Sequence, residues 1–446
     1  MRFCFIFLFL TNLTAASAQT ARYDSLWADA AVETRIREGI EQHRKGDFTL
    51  RLVDAQGKLL RNAAVRIEQV SHDFLFGCNA FMVDGYDTPA KNKSYETAFA
   101  KLFNFASVPF YWKDLEPEPG QLRFAANSPK LYRRPPPDAV LAFCQRQGLT
   151  PKGHTLVWNS PKHSIPAWLT PDSTGRDRLS TQRIRQIAER YGASINIWDV
   201  LNEAIHDRGE PMPPQYEVKA FRDAARFFPS NTQLLINETT NAWGEAGLRD
   251  YKALIQKLLN EGAKIDGIGL QFHFFSEKTH ADALAGIAFS PAQCFQALDD
   301  YAATFRKPIH VTEITIPTLP NSDAGRQAQA KLARNFYRLW FSHPSVEAVT
   351  WWNLPDGAAV AGEDKWNGGL LDPDFSPKPA YQVLDKLLNE EWKTRLTAKT
   401  DRQGSLAFRG FYGEYLVRAT VGKRVVEKRI RLAKGQTTDL NLDLNE

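Results

Sequence analysis

Cysteine is scarce in this chain of 446 residues, which contains only four. Cys4 lies in an N-terminal segment with the pattern of a cleaved leader, so Cys78, Cys144 and Cys294 remain after cleavage. Three thiols allow at most one disulfide, and their spacing matches no metal-site pattern. We therefore expect buried free thiols and no metal site.

Long apolar runs and concentrated positive charge are also lacking. The apolar run Phe3–Leu10 is too short to cross a bilayer. It follows Arg2 and precedes small residues ending at Ala18, which predicts a secretion signal over 1–18. The formal net charge is +5, but lysines and arginines are scattered rather than striped. We expect a monomeric protein, secreted or periplasmic and cleaved near Ala18, with no membrane span and no nucleic-acid partner.

Between residues 72 and 392, short apolar runs alternate with amphipathic helical patterns. Eight such strand–helix units predict an α/β fold, a (β/α)8 TIM barrel. A doubly wound open sheet is the rival fold, but no glycine-rich phosphate turn follows an early strand. The predicted strands are 74–78, 102–106, 150–156, 194–201, 232–237, 264–272, 308–314 and 347–353. The predicted helices are 92–101, 137–147, 178–191, 215–227, 243–261, 291–305, 323–342 and 379–389.

The segments on either side of the predicted barrel have a different character. An N-terminal helix is expected within 19–46, with its first turn capped near Asp24 or Ser25. Strand-like runs occur in 47–71 and again, five times, in 393–446. We predict that these two segments form one small accessory β-sandwich of about seven strands, discontinuous in sequence. The alternative is two independent decorations of the barrel.

Two predicted barrel strands, the fourth and the seventh, end abruptly in a glutamate. They are Trp198–Glu203 and Val311–Glu313. A pair of carboxyl groups across a barrel mouth is what cleavage of a glycosidic bond requires, with one proton donor and one nucleophile or base. A surface salt bridge is the ordinary explanation for one such glutamate alone. A separation of about 5–5.5 Å predicts retention of stereochemistry, and about 6.5–9.5 Å predicts inversion.

Polar side chains accompany both glutamates. The Asn202 amide can donate to a sugar hydroxyl while Glu203 protonates the leaving oxygen. Gln271 and His273 end the sixth strand, beside the seventh, so His273 is placed to contact and orient Glu313. A lone histidine is more often structural, but its position beside the predicted nucleophile favours a functional role.

Aromatic residues make up 12% of the chain, which includes 11 tryptophans. Aromatic faces serve as platforms in sugar-binding clefts, although a large core is the alternative use for them. His154 and Trp158 end the third strand, where an imidazole can bind sugar hydroxyls and an indole can cover the sugar face.

Four motifs in this order resemble glycoside hydrolase family 10, the retaining endo-β-1,4-xylanases, over about 74–390. They are Gly153–Trp158, Trp198–Glu203, Gly269–His273 and Val311–Glu313, supported by Leu115–Gly120, Trp351–Trp352 and Lys378–Tyr381. The resemblance implies that Glu203 is the acid/base and Glu313 the nucleophile, and it implies no metal or organic cofactor. It also implies the residues around the scissile sugar, which are Asn202, Gln271, His273, His154, Trp158 and Trp352.

The sequence departs from this family where the substrate is gripped. Family members carry a Glu-Asn pair and a Lys-Trp after the second strand, which hold sugars on the non-reducing side. Here 103–112 is about two residues short and lacks the pair, and Tyr111 replaces the lysine. The usual His-x-Gln after the third-strand tryptophan is Asn159–Pro161. Thr315 replaces an aspartate, so we expect His273 to be less basic and less constrained.

These observations predict a secreted retaining endo-glycosidase that hydrolyses β-1,4-xylosidic bonds in xylan by double displacement. Two alternatives stay open. One is a glycosidase on the same barrel with another β-linked plant polysaccharide as substrate, such as a β-glucan or a decorated xylan. The other is a non-catalytic carbohydrate-binding protein. For the sandwich, bracing of the barrel is favoured over glycan binding.

Overall fold

The computed structural model describes residues 21–53, 57–169, 172–205, 212–421, 424–435 and 439–443. The predicted secretion signal lies outside these residues. Two helices open the described chain, α1 over 21–27 and α2 over Ala30–Arg44. The single helix expected here is broken because the Asp29 side chain accepts from the backbone N–H groups of Ala31 and Val32 and starts α2 afresh.

Helix α2 leads directly into the first two strands, β1 (Lys45–Val53) and β2 (Ala64–His72). Eight parallel strands then follow in the chain and close into a barrel. They are β3 (Leu75–Asn79), β4 (Phe105–Pro109), β5 (Thr150–Trp158), β6 (Ile197–Asn202), β7 (Gln233–Glu238), β8 (Gly267–His273), β9 (Ile309–Thr315) and β10 (Val346–Trp351). The barrel closes between β10 and β3, which confirms the predicted fold class.

Helices between the strands form the outer layer. They are α3 (Pro89–Leu102), α4 (Trp112–Leu115), α5 (Pro137–Gln147), α6 (Ser173–Tyr191), α7 (Tyr216–Phe227), α8 (Glu245–Asn260), α9 (Glu277–Leu284), α10 (Pro291–Phe305), α11 (Asp323–Ser342) and α12 (Pro379–Lys386). Several of them begin with a proline in the first turn, where no N–H bond is lost. None of the helices in the described ranges is long and apolar enough to cross a membrane.

The second barrel strand begins later than the sequence predicts. The expected strand was 102–106, but α3 runs through Leu102 and β4 starts three residues further on. The Asn104 side chain occupies the junction, since it accepts from Phe76 N at 2.8 Å and donates to Phe74 O at 3.0 Å. A side chain that satisfies backbone groups of the preceding segment turns the chain before the strand begins.

Five strands at the C-terminal end complete two small sheets with β1 and β2. They are β11 (Arg395–Lys399), β12 (Ser405–Phe411), β13 (Gly413–Val421), β14 (Arg424–Leu432) and β15 (Asp439–Asp443). Strand β1 lies between β12 and β15, and β2 lies between β11 and β13. Apolar residues from both sheets share one core, which includes Leu50, Ile67 and Val417. The strands before the barrel are therefore internal to the accessory β-sandwich.

Arg44 joins this sandwich to the barrel. Its guanidinium donates to the carbonyl oxygens of Phe341, His343 and Val346 at 2.6, 2.5 and 2.7 Å. Phe341 lies in the last turn of α11, where helix carbonyls lack intrahelical partners, and His343 and Val346 follow the end of the helix. The residue next to Arg44 starts β1, so one partly buried cation fixes the direction in which the chain enters the sandwich.

Close packing between β5 and β6 aligns the polar interior of the barrel. Gly153 lies beside Trp198, and a Cβ on Gly153 would lie 2.1 Å from the Trp198 ring. The next pair in register is His154 and Asp199. The absence of a side chain at Gly153 therefore lets the indole cross the neighbouring strand and places two polar groups face to face.

We predict that Gly153→Ala lowers the free energy of unfolding by about 3 kcal/mol, because the fully buried Trp198 ring has no room to move. Urea unfolding followed by circular dichroism measures this. Gly244→Ala is the matched control, since its new Cβ would meet only Asn241 O at 3.6 Å, and it should cost under about 1 kcal/mol. A loss below about 1 kcal/mol for Gly153→Ala would contradict the packing argument.

Candidate active site

The structure brings all eight predicted site residues to one cleft of about 610 Å³. The cleft lies where the barrel strands end at their carboxyl edges, which is where such barrels place catalytic groups. The predicted residues that line it are His154, Trp158, Asn202, Glu203, Gln271, His273, Glu313 and Trp352.

A backbone turn lets two consecutive residues reach this cleft. Asn202 is the last residue of β6, and Glu203 has a φ of +52°, in the left-handed region. The Glu203 N–H still donates to Asn237 O at 2.9 Å, so the turn is held by the neighbouring strand. A non-glycine residue in this region costs energy and is found at functional sites.

Glu313 is buried and surrounded by donors. Its Oε1 accepts from Asn237 Nδ2 at 2.9 Å and lies 3.9 Å from His154 Nε2, while Oε2 lies 3.2 Å from His273 Nε2. Burial alone would raise the pKa of this carboxyl, but the neighbouring His154 and the hydrogen bond from His273 outweigh it. The pKa of Glu313 therefore lies below its ordinary value, and the group is ionised near neutral pH.

Glu203 is the more exposed of the two carboxyl groups. Its Oε1 accepts from Gln271 Nε2 at 2.7 Å, so a residue of the sixth barrel strand orients a carboxyl of the fourth. The two glutamates thus have different surroundings in one cleft. A buried carboxylate among donors suits a nucleophile, and a partly exposed carboxyl suits exchange of a proton with water or a leaving group.

Asn237, which the sequence analysis did not single out, connects the two halves of the site. Its Nδ2 donates both to Asn202 Oδ1 at 2.7 Å and to Glu313 Oε1 at 2.9 Å. Its Oδ1 accepts from Thr312 Oγ1 at 2.5 Å, which fixes the orientation of the amide. The sequence signal for Asn237 as a site residue was its position at the end of β7, in Ile-Asn-Glu.

A buried charge pair supports His154 from below, and the sequence analysis missed it as well. Asp199 Oδ2 lies 2.7 Å from Lys152 Nζ and 2.8 Å from His154 Nδ1. Burial would raise the pKa of Asp199, but Lys152 and His154 outweigh it and lower the pKa. A lysine and an aspartate inside two buried barrel strands were the signal in the sequence, since buried charges need partners.

His273 is held on three sides. Its Nδ1 lies 2.9 Å from Thr315 Oγ1, and its ring stacks on Phe275 with centroids 4.5 Å apart and planes at 13°. Its other nitrogen contacts Glu313. The Thr315 hydroxyl thus contacts His273 from the position where the family has an aspartate and where we expected no support for the ring. We expected a less constrained ring, and the stacked Phe275 together with this hydroxyl supplies the constraint instead.

The two predicted tryptophans form walls of the cleft. Trp352 is only 5% exposed, and it packs edge-on against His154, with ring centroids 5.4 Å apart. Trp158 stacks on His163 at 5.0 Å with planes at 5°, so one face of the indole expected to bind sugar is covered.

Arg133 and Arg134 also line the cleft, so these two of the scattered arginines do not belong to a purely solvated surface. Arg133 is 3% exposed and donates to Asn353 Oδ1 at 2.6 Å. Arg134 pairs with Asp114 at 2.8 Å and lies 3.9 Å above the Tyr111 ring. Tyr111 is the residue that stands where family members have a lysine, so a guanidinium stacked on the tyrosine brings a cation to the same wall.

The three cysteines in the described part of the chain, Cys78, Cys144 and Cys294, are buried free thiols, and burial raises the pKa of Cys144 to about 12. Such thiols are unreactive at neutral pH. Among the described residues, no group of three or more His, Cys, Asp or Glu side chains is arranged to hold a metal ion.

Residues 89–387 match the sequence model of glycosyl hydrolase family 10. Endo-1,4-beta-xylanase B of Thermotoga neapolitana is 26% identical over 333 residues, which cover 69% of this chain and 92% of that protein. Among solved structures, xylanase 10B from Thermotoga petrophila RKU-1 in complex with xylobiose has a TM-score of 0.59 and 21% identity. The match covers 72% of this chain and 95% of that one. At this identity the structural likeness shows the shared barrel fold.

Two other relatives are longer than the shared region. Anti-sigma-I factor RsgI6 of Acetivibrio thermocellus is 27% identical over 422 residues, which are 92% of this chain and 49% of that protein. The Endo-1,4-beta-xylanase 5-like protein of Arabidopsis thaliana is 25% identical, and 60% of it is covered. This chain therefore spans about half to three-fifths of the length of these two proteins.

We predict that Asp199→Asn lowers the free energy of unfolding by about 3–5 kcal/mol, because it leaves Lys152 charged and unpaired in the barrel. Denaturant unfolding measures the loss. The double variant Lys152→Met/Asp199→Asn removes the orphaned cation and should recover at least half of that stability. If Asp199→Asn costs less than about 1 kcal/mol, the pair does not carry the structural role assigned to it.

Proposed function

Because this chain belongs to glycosyl hydrolase family 10, we propose that it hydrolyses β-1,4-xylosidic bonds within xylan by double displacement. The observation that carries the proposal is the contrast between the two glutamates of the cleft. Glu313 is buried and held ionised, with His154 and His273 near its two oxygens, whereas Glu203 is partly exposed and held by Gln271.

In the first step, Glu313 Oε attacks the anomeric carbon of the sugar while Glu203 gives its proton to the leaving oxygen. The bond to the leaving sugar breaks, and a glycosyl ester forms on Glu313. The negative charge of Glu313 disfavours a second charge in the same cleft, which favours Glu203 as the proton donor at this stage.

In the second step, Glu203 takes a proton from water, and the hydroxide attacks the same anomeric carbon. The ester bond breaks, Glu313 regains its negative charge, and Glu203 is protonated again. Each displacement inverts the anomeric centre, so two displacements retain its configuration. Asn202 supplies an amide group in the cleft, where sugar hydroxyls need partners, and Asn237 holds that amide beside Glu313.

We expect Glu313→Ala to abolish release of reducing sugar from xylan, because no nucleophile remains. We expect Glu203→Ala to slow it by about 10²–10⁴-fold, because proton donation is lost. Proton NMR of the first product released by the wild type should show the β-anomer. Nearly intact turnover in Glu313→Ala would refute the assignment, and an α-anomer formed first would show an inverting reaction.

The same assay separates the two alternative functions. A panel of glucuronoxylan, arabinoxylan and mixed-linkage glucan identifies another β-linked polysaccharide as the preferred substrate. Binding of xylan with no release of sugar would indicate a carbohydrate-binding protein that has lost hydrolysis.

The pH dependence follows from the hydrogen bond of His273 to Glu313. The nucleophile must be ionised, so kcat/KM falls as the pH drops through the pKa of Glu313. His273→Leu removes a contact that lowers this pKa, so burial is less opposed and the acidic limb moves to higher pH. Initial rates measure this shift over about pH 3 to 8, the range in which carboxyl groups and histidines titrate. His343→Gln, whose ring contacts Asp299 instead, should leave the limb in place.

We also propose that the protein acts outside the cytoplasm. The support is the N-terminal pattern of Arg2, an apolar run and small residues before position 19. A polysaccharide substrate is too large to enter a cell intact, so an exported hydrolase fits the proposed reaction.

A further inference from the structure

Phe275 is an exposed aromatic residue in the cleft that the proposed mechanism does not use. The N–H of Phe274 still pairs with Thr315 O at 3.0 Å, so strand-like pairing continues past the end of β8. The Phe274 side chain is fully buried, and alternation turns the next side chain the opposite way. Phe275 is 37% exposed and lines the cleft.

The ring of Phe275 has one face covered and one face open. His273 stacks on it at 4.5 Å with planes at 13°, which accounts for one face. The exposed part of the side chain therefore belongs to the outer face and the edge. Ser276, Thr279 and Asn241 line the same cleft around it. An open aromatic face among hydroxyl and amide groups suits a sugar, whose ring has apolar C–H faces and a polar rim.

The barrel topology indicates which sugar this is. In the closed order of eight strands, β8 lies four places from β4 in either direction, so the two strands stand on opposite sides of the mouth. The family resemblance implies that residues after β4, the second barrel strand, hold sugars on the non-reducing side. Phe275 therefore lies on the other side, where the leaving part of the chain must extend.

We propose that Phe275 is a stacking platform for the sugar on the leaving-group side of the scissile bond, in β-1,4-linked pyranose chains. This inference rests on the proposed function and adds a binding position to it. The competing explanation is purely structural, in which the ring serves only to hold His273 where the family has an aspartate and this chain has Thr315.

Two substrates separate these explanations. Xylohexaose places a sugar on the leaving-group side, whereas dinitrophenyl β-xylobioside has an aryl leaving group there and no sugar. We expect Phe275→Ala to lower kcat/KM about tenfold on xylohexaose, the equivalent of losing about 1.4 kcal/mol of stacking. On the aryl xylobioside, we expect a change of less than about twofold. The conservative variant Phe275→Tyr keeps an aromatic face and should have values of kcat/KM near those of the wild type on both substrates.

A second variant tests the structural explanation directly. Thr315→Asp returns a carboxylate to His273, so in the Phe275→Ala background it should rescue a defect that acts only through His273. If Phe275 is a stacking platform, Thr315→Asp does not rescue xylohexaose cleavage in the Phe275→Ala background. Equal losses on both substrates, rescue by Thr315→Asp, or no loss on xylohexaose would each overturn the inference.

A binding measurement keeps this result distinct from a failure of the proposed function. In the Glu203→Gln variant, whose turnover is slowed by the loss of the proton donor, calorimetry with xylohexaose should show about tenfold weaker binding when Phe275→Ala is added. Wild-type cleavage of xylan with unchanged affinity in that double variant would overturn the platform alone. A wild-type protein that neither cleaves nor binds xylo-oligosaccharides would overturn the proposed function, and the platform with it.

Discussion

Four ionisable side chains stand in a row inside the barrel, and the site depends on each one having the next as its partner. They are Lys152, Asp199, His154 and Glu313. A charge moved from water into a protein interior is strongly destabilising unless an opposite charge or donors compensate it. Lys152 compensates Asp199, Asp199 engages Nδ1 of His154, and Nε2 of His154 then faces Glu313. Lys152 and Asp199 therefore set the orientation of the His154 imidazole, and through it the charge of the nucleophile Glu313.

Much of the fold was predictable because local sequence patterns indicate it. Apolar runs alternating with amphipathic stretches indicated the barrel, and an acid at the end of such a run indicated Glu203 and Glu313. The β4 strand was misplaced because the Asn104 side chain, bonded to the preceding strand, decides where the chain turns. Asp29 likewise broke a helix whose apolar spacing was continuous. Local hydrogen bonds of short polar side chains override periodicity at such points.

The parts of the site that could not be predicted are those made by pairs distant in sequence. Asn237 acts through Asn202 and Glu313, which lie 35 and 76 residues away. Asp199 was visible as a charge inside an apolar strand, but its partners are known only once β5 and β6 are side by side. The role of Thr315 was misjudged for a related reason. The sequence showed that the aspartate is missing. It did not show that the Phe275 ring stacks on His273 and constrains it instead, because that contact depends on the three-dimensional arrangement.

The accessory sandwich has a consequence for the time course of biosynthesis. Strands β1 and β2 are completed by His72, but β11, the first of their C-terminal partners, begins at Arg395. At about 5–20 residues per second, a ribosome needs roughly 15–65 s to make the intervening chain. Throughout that interval the apolar residues Leu50 and Ile67 are not covered by the rest of the sandwich, and both edges of β1 and of β2 are unpaired and available to neighbouring nascent chains. Expression yield should therefore depend on translation speed and on holdase chaperones more than the stability of the finished barrel suggests.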